Sequence, residues 1–170
     1  MTRYVALLRA VNVGGTGKLP MADLKSICAD AGFARVETYI ASGNVVFDAK
    51  GGAASVKTAL EARLLAYSGK KIDVLIRTAA EMAAVLAENP FRKTKPNHTY
   101  VVFLDDPPPA DALKHLAGRT DEEVRLGKRE IFVAYPNGMG SSKLKIPAAK
   151  AGTARNLNTV AKLAEMASAV

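Results

Sequence analysis

Apolar residues in the first half of the chain alternate between short strand-like runs and helix-like spacings. Four strands are predicted from apolar runs bounded by glycine or polar residues, at Tyr4–Leu8, Val36–Ile40, Val45–Asp48 and Ile72–Ile76. A helix is predicted from about Pro20 to Ala31, with Gly32 closing it. A second helix is predicted where apolar residues recur at helical spacing, at Val56, Leu60, Leu64 and Tyr67.

The order of these elements is strand, helix, strand, strand, helix, strand. It is the split βαβ arrangement of ferredoxin-like folds, in which the first and third strands are central neighbours. The link Ser42-Gly43-Asn44 carries the glycine and asparagine that tight hairpin turns favour. We therefore predict an α+β fold whose first half, residues 1–77, is a ferredoxin-like βαββαβ unit with both helices on one face.

The second half, residues 78–170, begins with a helix-start signal, the capping box Thr78-Ala79-Ala80-Glu81. The pattern then predicts a strand at Tyr100–Leu104, a helix carrying Leu113 and Leu116, and a hairpin that turns at Gly127-Lys128. A last helix is predicted from about Asn156 to Ala167, with an inward face of Leu157, Val160, Ala161 and Ala164. No convincing repeat is visible. We predict a related α/β half packed against the first in one compact unit.

Four polar stretches lie where predicted strands end or helices begin. They are Arg9–Lys18, Ser42-Gly43-Asn44, Ser141-Ser142-Lys143 and Thr153–Thr159. They combine glycine, amide, hydroxyl and cationic residues and contain no carboxylate, which is the chemistry of anion binding. The predicted ligand-binding residues are the cations Arg9, Lys18, Lys143 and Arg155 and the hydrogen-bonding residues Asn12, Ser42, Asn44, Asn156 and Asn158.

The net charge of +8 is unevenly distributed along the chain. Residues 1–77 hold 11 Lys and Arg against 6 Asp and Glu, residues 78–136 hold 8 against 9, and the remainder holds 5 against 1. The excess of positive charge therefore lies in the first half and near the end of the chain, where the polar stretches also lie. It indicates either an acidic partner or ligand, or a basic surface that keeps the protein in solution.

Composition narrows the class of protein. A chain of 170 residues, 49% hydrophobic, is long enough to bury a core. No apolar run approaches the roughly 18 residues of a membrane helix, and the start of the chain does not resemble a signal peptide, so we expect a cytoplasmic protein without a membrane partner. The one cysteine, Cys28, falls on the apolar face of the first helix and is interpreted as a core residue.

Two sequence patterns resemble catalytic or nucleotide-binding motifs but do not support them. In Gly14-Gly15-Thr16-Gly17-Lys18, a Walker loop would need glycine at Asn12 and a hydroxyl residue at Leu19. For this segment, an anion-binding loop and a plain connecting loop both remain as alternatives. The spacing Ser142-x-x-Lys145 matches a serine nucleophile with a lysine base, but Ser68-x-x-Lys71 repeats it, so it carries little information.

Metal and RNA sites are also disfavoured. The two histidines, His98 and His115, have no second ligand at metal-binding spacing, so no metal and no cofactor are predicted. The predicted sheet offers one stacking aromatic on its third strand, Phe47, and the chain has no tryptophan. Sequence-specific RNA reading is therefore disfavoured, while binding to a nucleic-acid backbone stays open.

Five phrases resemble, in order and spacing, those of the bacterial domain-of-unknown-function family 1697. They are Leu7–Gly15, Thr38–Phe47, Asn89–Phe91, Ser142–Leu144 and Thr153–Val160. The resemblance covers nearly the whole chain and implies a compact α+β fold of ferredoxin-like character, without an established reaction. Leu157 stands where relatives usually have tryptophan, and we interpret the position as packing because it falls on the inward stripe of the last helix.

These observations lead to one principal hypothesis and two alternatives. The principal hypothesis is a binding domain whose polar stretches form one cationic pocket for a phosphorylated ligand, a nucleotide or nucleic acid. The alternatives are an enzyme acting on a small anionic substrate in that pocket, and a purely structural role for the polar residues as caps and turn pins. The sequence leaves the oligomeric state and the ligand's identity open.

Overall fold

A computed structural model describes residues 1–12 and 18–169. The strands are β1 (Thr2–Leu8), β2 (Ala34–Thr38), β3 (Asn44–Ala49), β4 (Val74–Thr78), β5 (Thr99–Phe103), β6 (Glu123–Leu126), β7 (Glu130–Ala134) and β8 (Thr153–Asn156). The α-helices are α1 (Met21–Asp30), α2 (Ala53–Ser68), α3 (Ala79–Ala87) and α4 (Leu157–Ser168). Short 3₁₀ helices cover Pro96–His98, Ala112–His115 and Pro147–Ala149. None of the helices in the described part of the chain is long and apolar enough to span a bilayer.

The chain divides into two compact units. The first comprises residues 1–83 and the chain from residue 163 onward, and the second comprises residues 84–162. Each unit contains one four-stranded sheet. The predicted boundary after residue 77 and the packing of the two halves into one unit stay predictions.

The first sheet has the strand order β2-β3-β1-β4, and every neighbouring pair is antiparallel. The first and third strands are therefore paired at the centre, as the ferredoxin-like order requires. Alternate residues of the sheet, among them Ala6, Leu8 and Phe47, share one core with Leu24 of α1 and Leu60 of α2. Both helices thus cover the same face, and the α+β prediction is confirmed.

The second sheet repeats this topology, with the order β6-β7-β5-β8. In this sheet β5 occupies the central place that β1 has in the first. Tyr4 and Val5 of β1 pair with Thr78 and Arg77 of β4. In the same way, Tyr100 and Val101 of β5 pair with Asn156 and Arg155 of β8. The prediction of a related second half is confirmed. The repeat is not visible in the residues themselves because the connections differ. Where the first half has α1 and α2, the second has the 3₁₀ helices Ala112–His115 and Pro147–Ala149.

The helix starts after β4 and β8 are also equivalent. Thr78 and Glu81 exchange hydrogen bonds between side chain and backbone, at 2.9 and 3.2 Å, so the predicted capping box is confirmed. At the start of α4, the Asn156 side-chain oxygen accepts the Thr159 N–H at 3.0 Å. Each cap residue directly follows a buried arginine, Arg77 or Arg155.

Three local predictions are corrected. The helix expected at Leu113 and Leu116 is a 3₁₀ helix of four residues in which Leu113 is exposed, because the segment is too short to form an α-helix. On the last helix Ala161 is exposed, while Val160, Leu163 and Ala164 are buried. Tyr67, expected on the buried stripe of α2, is 47% exposed.

Strand β8 is absent from the sequence prediction. Residues 153–156 read Thr-Ala-Arg-Asn and lack the apolar alternation that signals a strand. They form one because they pair with the central strand β5 over four residues, from Phe103↔Thr153 to Tyr100↔Asn156. Tertiary pairing overrides local propensity here.

Glycine is required in the β2–β3 turn for two separate reasons. Gly43 has φ +90°, a backbone conformation that is energetically unfavourable for any residue with a side chain. A Cβ at this position would also lie 2.6 Å from Val11 Cγ2 and 2.9 Å from Leu8 Cβ. The turn therefore packs directly on the end of β1.

We expect Gly43→Ala to lower the free energy of unfolding by about 2–4 kcal/mol, the sum of backbone strain and overpacking. Gly32→Ala is the matched control, because Gly32 has a similar φ of +87° but a Cβ added there would meet no atom within 4 Å. It should cost about 1 kcal/mol. Urea unfolding of both variants measures the difference, and equal losses would show that the close packing of the turn contributes nothing.

Candidate functional site

A cavity of about 590 Å³ lies in the first unit, at the end of the sheet where β1 finishes and β4 begins. Three chain segments line it. They are Arg9–Val11 after β1, Lys18-Leu19 before α1, and Tyr67–Asp73 (without Gly69) between α2 and β4. The positive side chains in the lining are Arg9, Lys18, Lys70 and Lys71, and the negative one is Asp73.

The end of α2 brings the two adjacent lysines to the cavity. Gly69 adopts the left-handed conformation, with φ +73°, and its N–H donates to Leu65 O at 2.8 Å, which closes the helix. Ser68 Oγ donates to Leu64 O at 2.8 Å and accepts the Lys70 N–H at 3.1 Å. This double cap fixes the point at which Lys70 and Lys71 leave the helix.

Hydrogen bonds to the sheet fix the part of the lining formed by Arg9 and Asp73. The Arg9 N–H donates to Asp73 O at 2.9 Å, which extends the β1–β4 pairing beyond Leu8↔Val74. The side chains of the same residues form an ion pair, with Arg9 NH1 3.9 Å from Asp73 Oδ2. Lys71 Nζ lies 3.7 Å from Asp73 Oδ1. One carboxylate thus faces two of the four cations.

Tyr67 contributes an aromatic ring to the lining. Its hydroxyl donates to Asp23 Oδ2 at 2.5 Å, and this bond to a carboxylate is the main reason why the pKa of Tyr67 is raised. The bond joins the end of α2 to α1. It fixes the tip of a ring that is otherwise half exposed.

Sequence reasoning identified two of these residues, Arg9 and Lys18. It missed Tyr67, Lys70 and Lys71, although the Ser68-x-x-Lys71 spacing is visible in the sequence. The available signal was a helix-closing glycine followed by two lysines, because Lys or Arg after a C-cap glycine marks a cationic helix end. The glycines of the predicted loop, Gly14, Gly15 and Gly17, lie outside the described residues.

Asn12 forms a clamp, a set of side-chain hydrogen bonds that links Leu19 to the β2–β3 turn. Its side-chain NH₂ donates to Leu19 O at 2.9 Å and to Ala41 O at 2.7 Å, and its oxygen accepts the Leu19 N–H at 2.5 Å. Both amide protons are therefore used within the protein. The clamp stabilises Asn12 itself, which has φ +55°.

Ser42 and Asn44 form the neighbouring turn. Asn44 is fully buried, and its NH₂ donates to Tyr39 O and to Ser42 Oγ, both at 2.9 Å. The structure thus joins the first two polar stretches, since Asn12 bonds to Ala41 at this turn. The hydrogen bonds of Asn12 and Asn44 favour the structural role, while the cations lie on the cavity side.

The remaining predicted residues belong to the second unit. Lys143 and Asn158 are exposed, and Asn156 caps α4. Arg155 is 7% exposed and donates to Thr153 Oγ1 at 2.7 Å and to Ala154 O at 2.9 Å. Burial lowers its pKa to about 10, so it stays charged at neutral pH. These contacts favour a structural role for Arg155.

A second cavity of about 390 Å³ lies in the second unit. Its lining includes Glu122, which is almost fully buried, and Ser142. Ser142 Oγ donates to Glu122 Oε2, and Thr120 N–H donates to Glu122 Oε1 at 2.7 Å. The Ser142 hydroxyl is therefore oriented by a carboxylate, which does not match the serine–lysine pairing considered from the Ser142-x-x-Lys145 spacing.

Cys28 and His115 are not among the residues that line either cavity. Burial raises the pKa of the Cys28 thiol to about 12, in agreement with a core residue. The described residues contain no cluster of three or more His, Cys, Asp or Glu side chains arranged to hold a metal ion. His115 Nε2 lies 3.2 Å from Asp111 Oδ2, an exposed pair one helical turn apart.

The chain belongs to the family described as "Protein of unknown function (DUF1697)", whose model matches residues 1–132. It is similar to the solved structure of conserved bacterial protein SP0830 from Streptococcus pneumoniae, with a TM-score of 0.81 and 26% sequence identity over 98% of each chain. No curated protein matches the sequence. These comparisons confirm the family resemblance and the α+β fold, and they assign no ligand.

The Glu122 carboxylate gives a testable pH dependence. The Ser142 hydrogen bond is the main cause that lowers its pKa to about 2. Since this value lies below that of the unfolded chain, Glu122 stabilises the fold above pH ~4.3 and loses that contribution as the pH falls towards 2. Ser142→Ala should raise the pKa of Glu122, which NMR titration of the carboxyl carbon measures.

Ser141→Ala is the matched control, because Ser141 lines the same cavity but donates to Asn137 O at 3.2 Å. It should leave the pKa of Glu122 unchanged. An unaltered Glu122 titration in Ser142→Ala would contradict the assignment of the low pKa to this hydroxyl.

Proposed function

We propose that this member of a family of unknown function binds a small phosphorylated ligand in the cavity beside β1. The observation that carries the proposal is the charge of the lining, four positive side chains against one negative. Phosphate groups are held in proteins by such cations through charge-assisted hydrogen bonds.

The weak ion pairs of Asp73 support the proposal that the nearby cations can bind an anionic ligand. Its carboxylate lies near Arg9 and Lys71, at 3.9 and 3.7 Å, and it is 40% exposed. Pairs at this distance and exposure are weak, so a phosphate can compete for the same cations at small cost. Lys18 and Lys70 add two further positive charges to the lining.

The comparison between the two halves also supports this choice of site. The Leu8 N–H donates to Gly43 O at 2.8 Å, and in the second half the Leu104 N–H donates equivalently to Arg129 O at 2.9 Å. The next residue is Arg9 in the first half and Asp105 in the second. The positive charge at this position is therefore a feature of the first half and not a general consequence of the fold.

The other hypotheses lead to different expectations. A nucleic acid would require a wide basic face and a steep salt dependence, whereas a small ligand in a cavity should give a shallow one. If the protein is an enzyme, the bound ligand would be converted into a product. The proposal does not depend on the predicted residues of the second unit, which are Lys143, Asn156 and Asn158. The cytoplasmic location stays a prediction of the sequence.

We expect Lys70→Ala or Lys71→Ala to weaken binding of ribose 5-phosphate by about 1.5–3 kcal/mol, the scale of a charge-assisted hydrogen bond. Isothermal titration calorimetry measures the affinity. The melting temperature of the unliganded protein should stay nearly constant, because exposed charges contribute little to stability.

Lys50→Ala is the matched control. Lys50 is an exposed lysine that follows β3 at the opposite end of the sheet, where Ala49 faces Thr2. If Lys50→Ala weakens binding as much as Lys70→Ala, the interaction is non-specific attraction to a basic protein. Tight binding of an oligonucleotide with a steep salt dependence would favour the nucleic-acid hypothesis instead.

A further inference from the structure

The size of the cavity exceeds what a phosphate group alone would fill. Its volume of about 590 Å³ lies within the ~300–1,000 Å³ typical of sites that enclose whole small-molecule ligands. A ligand that occupies this space has a second part besides its phosphate. The chemistry of the lining away from the cations indicates what that part is.

The accessible apolar surface of the lining is concentrated at the end of α2. Val11 and Leu19 are 5% and 4% exposed and present little surface to a ligand. Tyr67 is 47% exposed, and Ile72 is half-buried. Tyr67 and Ile72 flank Lys70 and Lys71 in the sequence, so the apolar and cationic surfaces are adjacent.

Tyr67 is unusual among the aromatic residues of this protein. All ten tyrosines and phenylalanines lie in the described part of the chain, and the other nine are buried or partly buried. The hydrogen bond to Asp23 at 2.5 Å holds the tip of the ring, so little conformational freedom is lost when a ligand packs on it. An anchored, exposed ring beside a phosphate-binding group of cations is the chemistry that recognises a planar ring system.

We infer that the ligand of this cavity is a phosphate ester of a planar aromatic group, of the class of nucleoside monophosphates, and that Tyr67 contacts the aromatic group. The inference rests on the proposed function and adds to it the substrate class and the residue that selects it. Lys70 and Lys71 bind the phosphate, and the Tyr67 ring and Ile72 pack against the planar group.

Calorimetric titration of the full chain with adenosine monophosphate, ribose 5-phosphate and inorganic phosphate tests the inference. Adenosine monophosphate should bind about tenfold more tightly than ribose 5-phosphate, which lacks the base, because stacking on an aromatic side chain gives an effect of this size. Equal affinities would overturn the inference and leave the proposed function intact. Absence of binding by all three would overturn the proposed function and the inference with it.

Variants of Tyr67 show whether the ring is responsible. Tyr67→Leu should abolish the preference for adenosine monophosphate over ribose 5-phosphate. Tyr67→Phe keeps the ring but loses its hydrogen bond to Asp23, so it should retain most of the preference. Tyr39→Leu is the matched control, because Tyr39 lies in the same unit but outside the cavity lining. A preference that survives Tyr67→Leu, in a variant whose melting temperature is unchanged, would overturn the assignment to Tyr67.

Discussion

Two consecutive backbone amides at the end of β1 hold the candidate site together. The Leu8 N–H donates to Gly43 O and the Arg9 N–H donates to Asp73 O, at 2.8 and 2.9 Å. Because β1 is a central strand, the β2–β3 turn and the start of β4 are both bonded to the segment at its end. The side chains of Arg9 and Asp73 therefore have a fixed backbone origin, and the cavity forms where the central strand stops.

The same backbone arrangement occurs twice in the chain with different side chains. Tyr4-Val5 and Tyr100-Val101 hold equivalent positions, and so do the buried Arg77 and Arg155. A buried arginine thus occurs at the same register of both sheets, which favours a structural role for Arg155. The two halves differ at the ends of their central strands, where Arg9 of the first half corresponds to Asp105 of the second.

Local pattern predicted those parts of the fold whose elements carry their own apolar signal. β1 and α1 were predicted because residues such as Leu8 and Leu24 recur at strand and helix spacing. β8 was missed because the Thr153–Asn156 segment becomes a strand only through its pairing with β5. The site follows the same division. Arg9 and Lys18 stand in a conspicuous polar stretch, whereas the segment with Lys71 and Asp73 is brought to Arg9 only by the β1–β4 pairing.

The most direct test of the account is the location of a bound phosphate ester. Amide chemical shifts can be followed by NMR while adenosine monophosphate is added to the full chain. Binding in the cavity should give saturable shifts that are concentrated at Arg9, at Lys70 and Lys71 and at the end of α2, with little change around Lys143. Shifts confined to Lys143 and the second unit, or scattered over exposed lysines without saturation, would contradict it.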